Sequence, residues 1–321
     1  MRNNRFQNHI SESSITLPLC MVIGTLVWFW NGEKQAFDYT WSGVVSLSLA
    51  TLTTYVVMET ANVFALLRIR SRMIATTWVV GISLMSFTHL FSEAWIAALA
   101  MAGSHYVMFL TYQQHQPVVP IFHSFLLLGA ASLAVPQLLI FVPLYFWYLL
   151  VFLRALTWRG FWAGIVGLVL PMCFVLGWSI LRDDFSFLLG RIDKLMTTDV
   201  LVADDYAWML TYQNAETLVL ALVSLLSLVG IVHYLRNYYN DKIRTRMYLY
   251  IYVIQTIAYW LMILLSPDLY HLLAPVLMLG ASTMIAHFFA QTGTIVSNLF
   301  FCLTLLAVIT LFTLNLGIWS F

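Results

Sequence analysis

Long apolar runs alternate with short polar turns from one end of the chain to the other. A membrane-crossing helix needs about 20 predominantly apolar residues, within a range near 17–25. On that measure the pattern predicts helical spans at 15–30, 43–67, 73–91, 94–112, 120–135, 137–153, 160–181, 217–235, 247–266, 271–290 and 295–318, eleven in all. Pro117 and Pro120 bracket one helix start, and Pro136-Gln137 divides two runs. The one long polar interruption, 182–216, is acidic: Asp183, Asp184, Asp193, Asp199, Asp204, Asp205 and Glu216 face Arg182, Arg191 and Lys194. Within it Phe185, Leu188, Leu189, Ile192, Leu195 and Met196 recur at helical spacing. They predict an amphipathic helix lying flat on the outer membrane surface. Tyr206, Trp208 and Tyr212 suit the headgroup layer.

Composition agrees. Hydrophobic residues make up 61% of the chain and charged residues 9%, against roughly 25% charged in soluble domains. The expected fold is therefore all-α, a polytopic transmembrane bundle forming a single integral membrane domain over 1–321. A net charge of +1, without a basic stripe or zinc-finger spacing, gives no case for nucleic acid. Cytoplasmic loops carry the excess of Lys and Arg. With the N-terminus inside, eleven of the fifteen basic residues fall in inside loops, and only Lys34, Arg182, Arg191 and Lys194 fall outside. A ten-span alternative, with 120–153 as a hairpin that does not cross, puts the Arg236–Arg246 cluster outside and worsens the split. The first run ends in Trp28-Phe29-Trp30-Asn31 without a small-x-small cleavage site, so it is expected to stay as an uncleaved span. Cys20, Cys173 and Cys302 each sit alone in an apolar run and predict packing, not a metal site.

Two clusters are candidates for chemistry. A charge inside a bilayer costs at least ~2.5 kcal/mol at a helix centre, and Glu59 is the one acid deep in a span. It lies nine residues before Arg68, or roughly 13 Å at the helical rise. Its run carries a polar stripe, Ser48, Thr51, Tyr55, Glu59 and Asn62. Later runs carry Tyr248, Tyr252, Gln255 and Tyr259, and then Thr283, His287 and Gln291. These three stripes are expected to face one another. They would act either as interhelical hydrogen bonds or as a proton or substrate path through Glu59 and His287. The second cluster is at the outer face. His89 and Glu93, four apart, are expected on one helix side, near Glu33, Asp38, Asp183 and Asp184. A carboxylate there would serve as a general base, or hold a divalent cation for a diphosphate, and Arg182, Arg191 and Lys194 would pair with lipid phosphate. A solvated acidic rim is the alternative. The remaining histidines, His105, His115, His123, His233 and His271, read as interfacial or packed. No nucleotide-binding or hydrolase motif occurs.

Particular residues carry a resemblance. Ala61-Asn62 is followed by a basic turn and Arg72, and then comes Phe91-Ser92-Glu93. Leu144–Phe152 leads into Leu153-Arg154-Ala155-Leu156-Thr157-Trp158-Arg159, and Pro171 closes the following helix. This stretch resembles a group of uncharacterised multi-span inner-membrane proteins of Bacteroidetes. Its short staggered spans, basic loops and acid in the first outer loop are also similar in style to C-type, polyprenyl-lipid-dependent glycosyltransferases. That resemblance implies a bacterial inner-membrane protein of envelope biogenesis handling a polyprenyl-phosphate-linked sugar at the outer leaflet, with Asp38 as candidate base. The rival expectations are a proton-coupled permease using Glu59, Gln255 and His287, and a non-catalytic membrane scaffold.

Overall fold

The computed structural model describes residues 5–31, 36–196 and 215–315. Glu33, Asp199, Asp204, Asp205, Tyr206, Trp208 and Tyr212 lie outside the described residues. Each apolar run contains a helix: α1 (Phe6–Glu12), α2 (Thr16–Trp28), α3 (Trp41–Val63), α4 (Met73–Leu84), α5 (Glu93–Phe109), α6 (Val118–Ala134), α7 (Phe141–Val151), α8 (Trp158–Arg182), α9 (Ser186–Met196), α10 (Ala215–Asn237), α11 (Ile243–Leu265), α12 (Tyr270–Gln291) and α13 (Ile295–Asn315). A two-residue antiparallel ladder, with Trp30 opposite Phe37, closes the turn between α2 and α3.

Among the described residues six helices are long and apolar enough to cross a membrane, α3, α8, α10, α11, α12 and α13. A seventh crossing exists if α1 and α2, bent by 86° at their junction, form one span. Eleven are expected from the pattern. The difference lies in α4 to α7, whose 12, 17, 17 and 11 residues reach only about 16–26 Å at 1.5 Å per residue. A hydrocarbon core is about 30 Å thick. Two short 3₁₀ turns, Ser86–His89 and Pro136–Ile140, end those runs early.

Local chemistry sets the starts and stops. The hydroxyls of Thr40 and Thr157 accept from the amides of Gly43 and Gly160, both at 3.1 Å, and open α3 and α8. Beyond α3, Ala65 takes a left-handed φ of 48°. The Leu66 amide returns to Ala61 O (3.1 Å) and the Ala65 amide to Asn62 O (3.3 Å), a Schellman stop that turns the chain into the arginine loop. Helix α12 is the axis of the bundle. It is almost wholly buried and is walled by α4, α5, α10 and α11, with α1 laid across its end. Close approach depends on missing side chains: a Cβ at Gly230 would lie 2.5 Å from Met284 O, and one at Gly167 would lie 2.4 Å from Phe122 O. Small residues at such crossings let backbones touch, which is how helices associate where lipid removes the hydrophobic drive.

The connections segregate. At one end Arg68 reaches Asp241, Thr245 reaches Ala65, and the Gln113 amide reaches Leu153 O. At the other, the Ser46 hydroxyl reaches His89 O, Ser86 and His271 reach Glu216, and Arg191 reaches Glu93. The basic turns thus share one end of the bundle.

Candidate functional site

At the acidic end, Glu93 opens α5 and its carboxylate accepts two bonds from Arg191, at 2.5 and 2.6 Å. Arg191 also donates to Ala134 O at 2.8 Å, and its guanidinium lies 4.7 Å from the Phe187 ring centre. Lys194 stands 3.8 Å from the same carboxylate. The Arg191 hydrogen bonds hold the Glu93 carboxyl below its ordinary value. This fork ties α9 to the bundle. Arg191, expected as a lipid-phosphate contact, is therefore already committed to a carboxylate. The apolar side of α9 is uncovered: Leu189, Ile192 and Met196 are all exposed.

His89 and Glu93 do not share a helix side. The 3₁₀ turn ends at His89, Leu90 and Ser92 are extended, and a new helix starts at Glu93. The His89 ring packs against Trp28, centroids 4.6 Å apart and planes tilted by 33°, with Nε2 3.2 Å from Ser83 O, a packed position. Asp183 is the left-handed cap of α8 (φ 52°), and Asp184 accepts from the Ser186 amide at 2.9 Å. The Ser186 hydroxyl first, and then that amide bond, lower the Asp184 carboxyl. Both aspartates are exposed and shape the turn into α9. Arg182 lies over Trp178 at 4.7 Å. Asp38 is half-buried, its amide bonded to Phe29 O at 2.8 Å. No hydrogen bond or ion pair described here joins Asp38, Glu93 and the aspartate pair into one constellation. Among the described residues no three His, Cys, Asp or Glu converge to hold a metal ion.

Two of the three expected polar stripes face inward. Tyr248, Tyr252, Gln255 and Tyr259 are buried, as are Thr283 and His287. Gln255 joins His105 to Tyr259: its Oε1 pairs with His105 Nε2, and its Nε2 donates to Tyr259 at 2.8 Å. The third stripe is turned around. On α3 the buried residues are Ser46, Ala50, Thr53, Thr54, Val57 and Thr60, so Ser48, Thr51, Tyr55 and Asn62 are exposed and Glu59 is half-buried. The physical reason is packing: the Ala and Thr side, with hydroxyls bonded back to their own helix, fits against α4 and α5 where larger polar groups would not. Glu59 stands four residues from the helix end, about 6 Å deep. It has no hydrogen-bond or ion-pair partner among the described residues, and it does not meet His287.

The partner of His287 is Asp241, which the span pattern does not single out. Both side chains are fully buried; Asp241 Oδ2 lies 3.3 Å from His287 Nε2, and Oδ1 accepts from Arg68 Nε at 2.6 Å. Burial alone would raise the Asp241 carboxyl, but the bonds from His287 and Arg68 outweigh it and hold it low. One signal was available: Asp241 is the sole acid in the basic 236–246 turn.

Two recesses flank the α1–α2 corner. The first is an apolar groove of about 360 Å³ walled by α2 and α13, with α4, α10 and α12 as floor; Leu19, Ile23, Leu305 and Ile309 form its sides. The second, of about 660 Å³, is polar. Glu12, Ser13, Ser14, Asn62, Arg68, Arg70, Ser71 and Arg72 line it. Comparison of the chain with protein-family models, with curated proteins and with solved structures returns no match.

Proposed function

We propose that this is a multi-pass bacterial inner-membrane protein of envelope biogenesis that holds the carrier lipid of a lipid-linked saccharide, with its N-terminus and arginine-bearing turns in the cytosol. The observation that carries the reading is the groove between α2 and α13. Its lining is almost purely apolar, it lies between two helices whose exposed residues are apolar, and its corner at Ile10–Thr16 and Met73 adjoins the arginine pocket. A lateral opening admits a chain from the bilayer without passage through water. The lipid is assigned to the arginine-rich end, where groove and arginine pocket adjoin. In the same reading α9 lies on the outer surface, its exposed apolar side in the headgroup layer.

The test is lipid extraction from the purified chain. A polyprenyl-phosphate species should co-purify, and Leu19→Trp with Leu305→Trp, which fill the groove, should reduce it at least fivefold. Recovery of only bulk phospholipid, unchanged by the substitutions, overturns the proposal.

A further inference from the structure

Lipid tails are as apolar as leucine, so an apolar groove can hold a tail by shape but does little to tell one lipid class from another. Selection of one lipid over another must therefore come from its headgroup. The second recess has the chemistry for that. Arg68 is occupied by Asp241 and by Asn237 O, and Ser71 donates to Ser11 O while accepting from the Met73 amide. Those bonds, with the Schellman stop at Ala65, pin the 65–72 loop at several points. Arg70 and Arg72 lie on either side of Ser71 in the coil that leads into α4, and all three line the recess. Both are exposed, and neither guanidinium has a hydrogen-bond or ion-pair partner among the described residues. Ser14 and Asn62 add polar groups, and the N-terminus of α4, whose Met73 amide is held by Ser71 Oγ, stands at the recess, where its dipole also favours an anion. Among the described lining residues Glu12, on the rim, is the opposing carboxylate.

We propose that Arg70 and Arg72, with Ser14, bind the phosphate headgroup of the lipid whose tail lies in the adjoining groove; the tail part of this assignment rests on the function proposed above. Guanidinium matches phosphate oxygens in a planar, two-point geometry that lysine lacks. The loop is fixed before the ligand arrives, so little ordering entropy opposes binding. A phosphate at this position projects its tail past Ser13–Thr16 into the groove.

The experiment is native mass spectrometry of the full chain in detergent, with phosphatidic acid, diacylglycerol of the same acyl chains, and inorganic phosphate as probes. Phosphatidic acid should bind roughly tenfold or more tighter than diacylglycerol. Arg70→Gln with Arg72→Gln should erase that preference, as should Ser14→Glu, which places a carboxylate in the recess. Arg159→Gln, a basic residue of another turn, should leave it intact. Equal binding of the two lipids, or a preference that survives Arg70→Gln/Arg72→Gln, overturns the headgroup site. If the preference holds but filling the groove with Leu305→Trp alters neither lipid, the phosphate site stands and the groove reading fails. If inorganic phosphate competes as well as phosphatidic acid, the site takes a free anion and the lipid assignment is overturned.

Discussion

Asp241→Asn removes one charge from a network with no spare acceptors. In the native protein both carboxylate oxygens are used, one by Arg68 and one by His287, and the aspartate and histidine side chains are shielded from water. An asparagine of the same size has one acceptor and one donor, so one partner is left facing an N–H. If that partner is Arg68, whose side chain is 37% exposed, rehydration keeps the loss to about 0–1 kcal/mol. If it is His287, with no route to water, the loss is about 1–3 kcal/mol. Together with the lost charge assistance the expected cost is about 2–3 kcal/mol, or roughly 4–6 °C in Tm for a chain of this size. The assay is thermal unfolding of detergent-purified protein, with Arg68→Gln and the double variant to complete a cycle. Arg68→Gln should cost less in the Asp241→Asn background than alone. Because the folded carboxyl is held below its ordinary value, its contribution is complete above the unfolded pKa near 3.9 and is lost as pH falls through the lower folded value. The part of the wild-type advantage that comes from the Asp241–Arg68 bond should thus be fully present above pH 5. A variant melting within 1 °C of wild type, or additive losses in the cycle, would refute the reasoning.

Two further predictions concern the other end and the helix crossings. Glu93→Gln breaks the fork to Arg191, so amide exchange across 186–196 should rise at least tenfold; acid should do the same to wild type, since a lowered carboxyl contributes above its unfolded pKa near 4.3 and not below its folded one. Unchanged exchange in Glu93→Gln would show that α9 is held by something else. Gly167→Val drives a side chain into Phe122 O and should cost about 1–3 kcal/mol by overpacking. Gly177→Ala on the same helix meets nothing within 4 Å and should gain about 0.5–1 kcal/mol; paired melting curves that fail to separate the two would count against the α6–α8 crossing.

The helices were legible because their signal is local: twenty apolar residues read as a helix whatever surrounds them, and the spacing of Leu188, Ile192 and Leu195 marked α9 within a polar stretch. The span count was less so. Hydropathy registers a run such as 73–91 but not the extended backbone at Met85 and Leu90 that cuts its helix at Leu84. Facing was legible only in part. Tyr248, Gln255 and Tyr259 pointed inward as polar groups in lipid should, but on α3 the small Thr and Ala residues took the interior and turned Glu59 out. Pairings across hundreds of positions, such as Arg68 with Asp241 or Glu93 with Arg191, leave no periodic trace in a single sequence. A lone acid in a basic turn was the nearest thing to one.

The side entry proposed above is favoured by where the bundle is full. A path along its axis would run beside α12, yet Gly230 and Gly280 press neighbouring groups against that helix with no room for a Cβ, and His105, Gln255 and Tyr259 fill the interior with hydrogen bonds made to one another. Opening such a path means separating backbones in contact and leaving buried polar groups unpaired, at about 1–3 kcal/mol for each. Among the described residues no hydrogen bond joins α2 to α13, and their exposed large residues, such as Leu19, Ile23, Leu306 and Ile309, are apolar. Asp241, His287 and Gln255 thus tie the interior together, and in the proposed reading the lipid binds at the side of the bundle, where Arg70 and Arg72 stand next to the apolar groove.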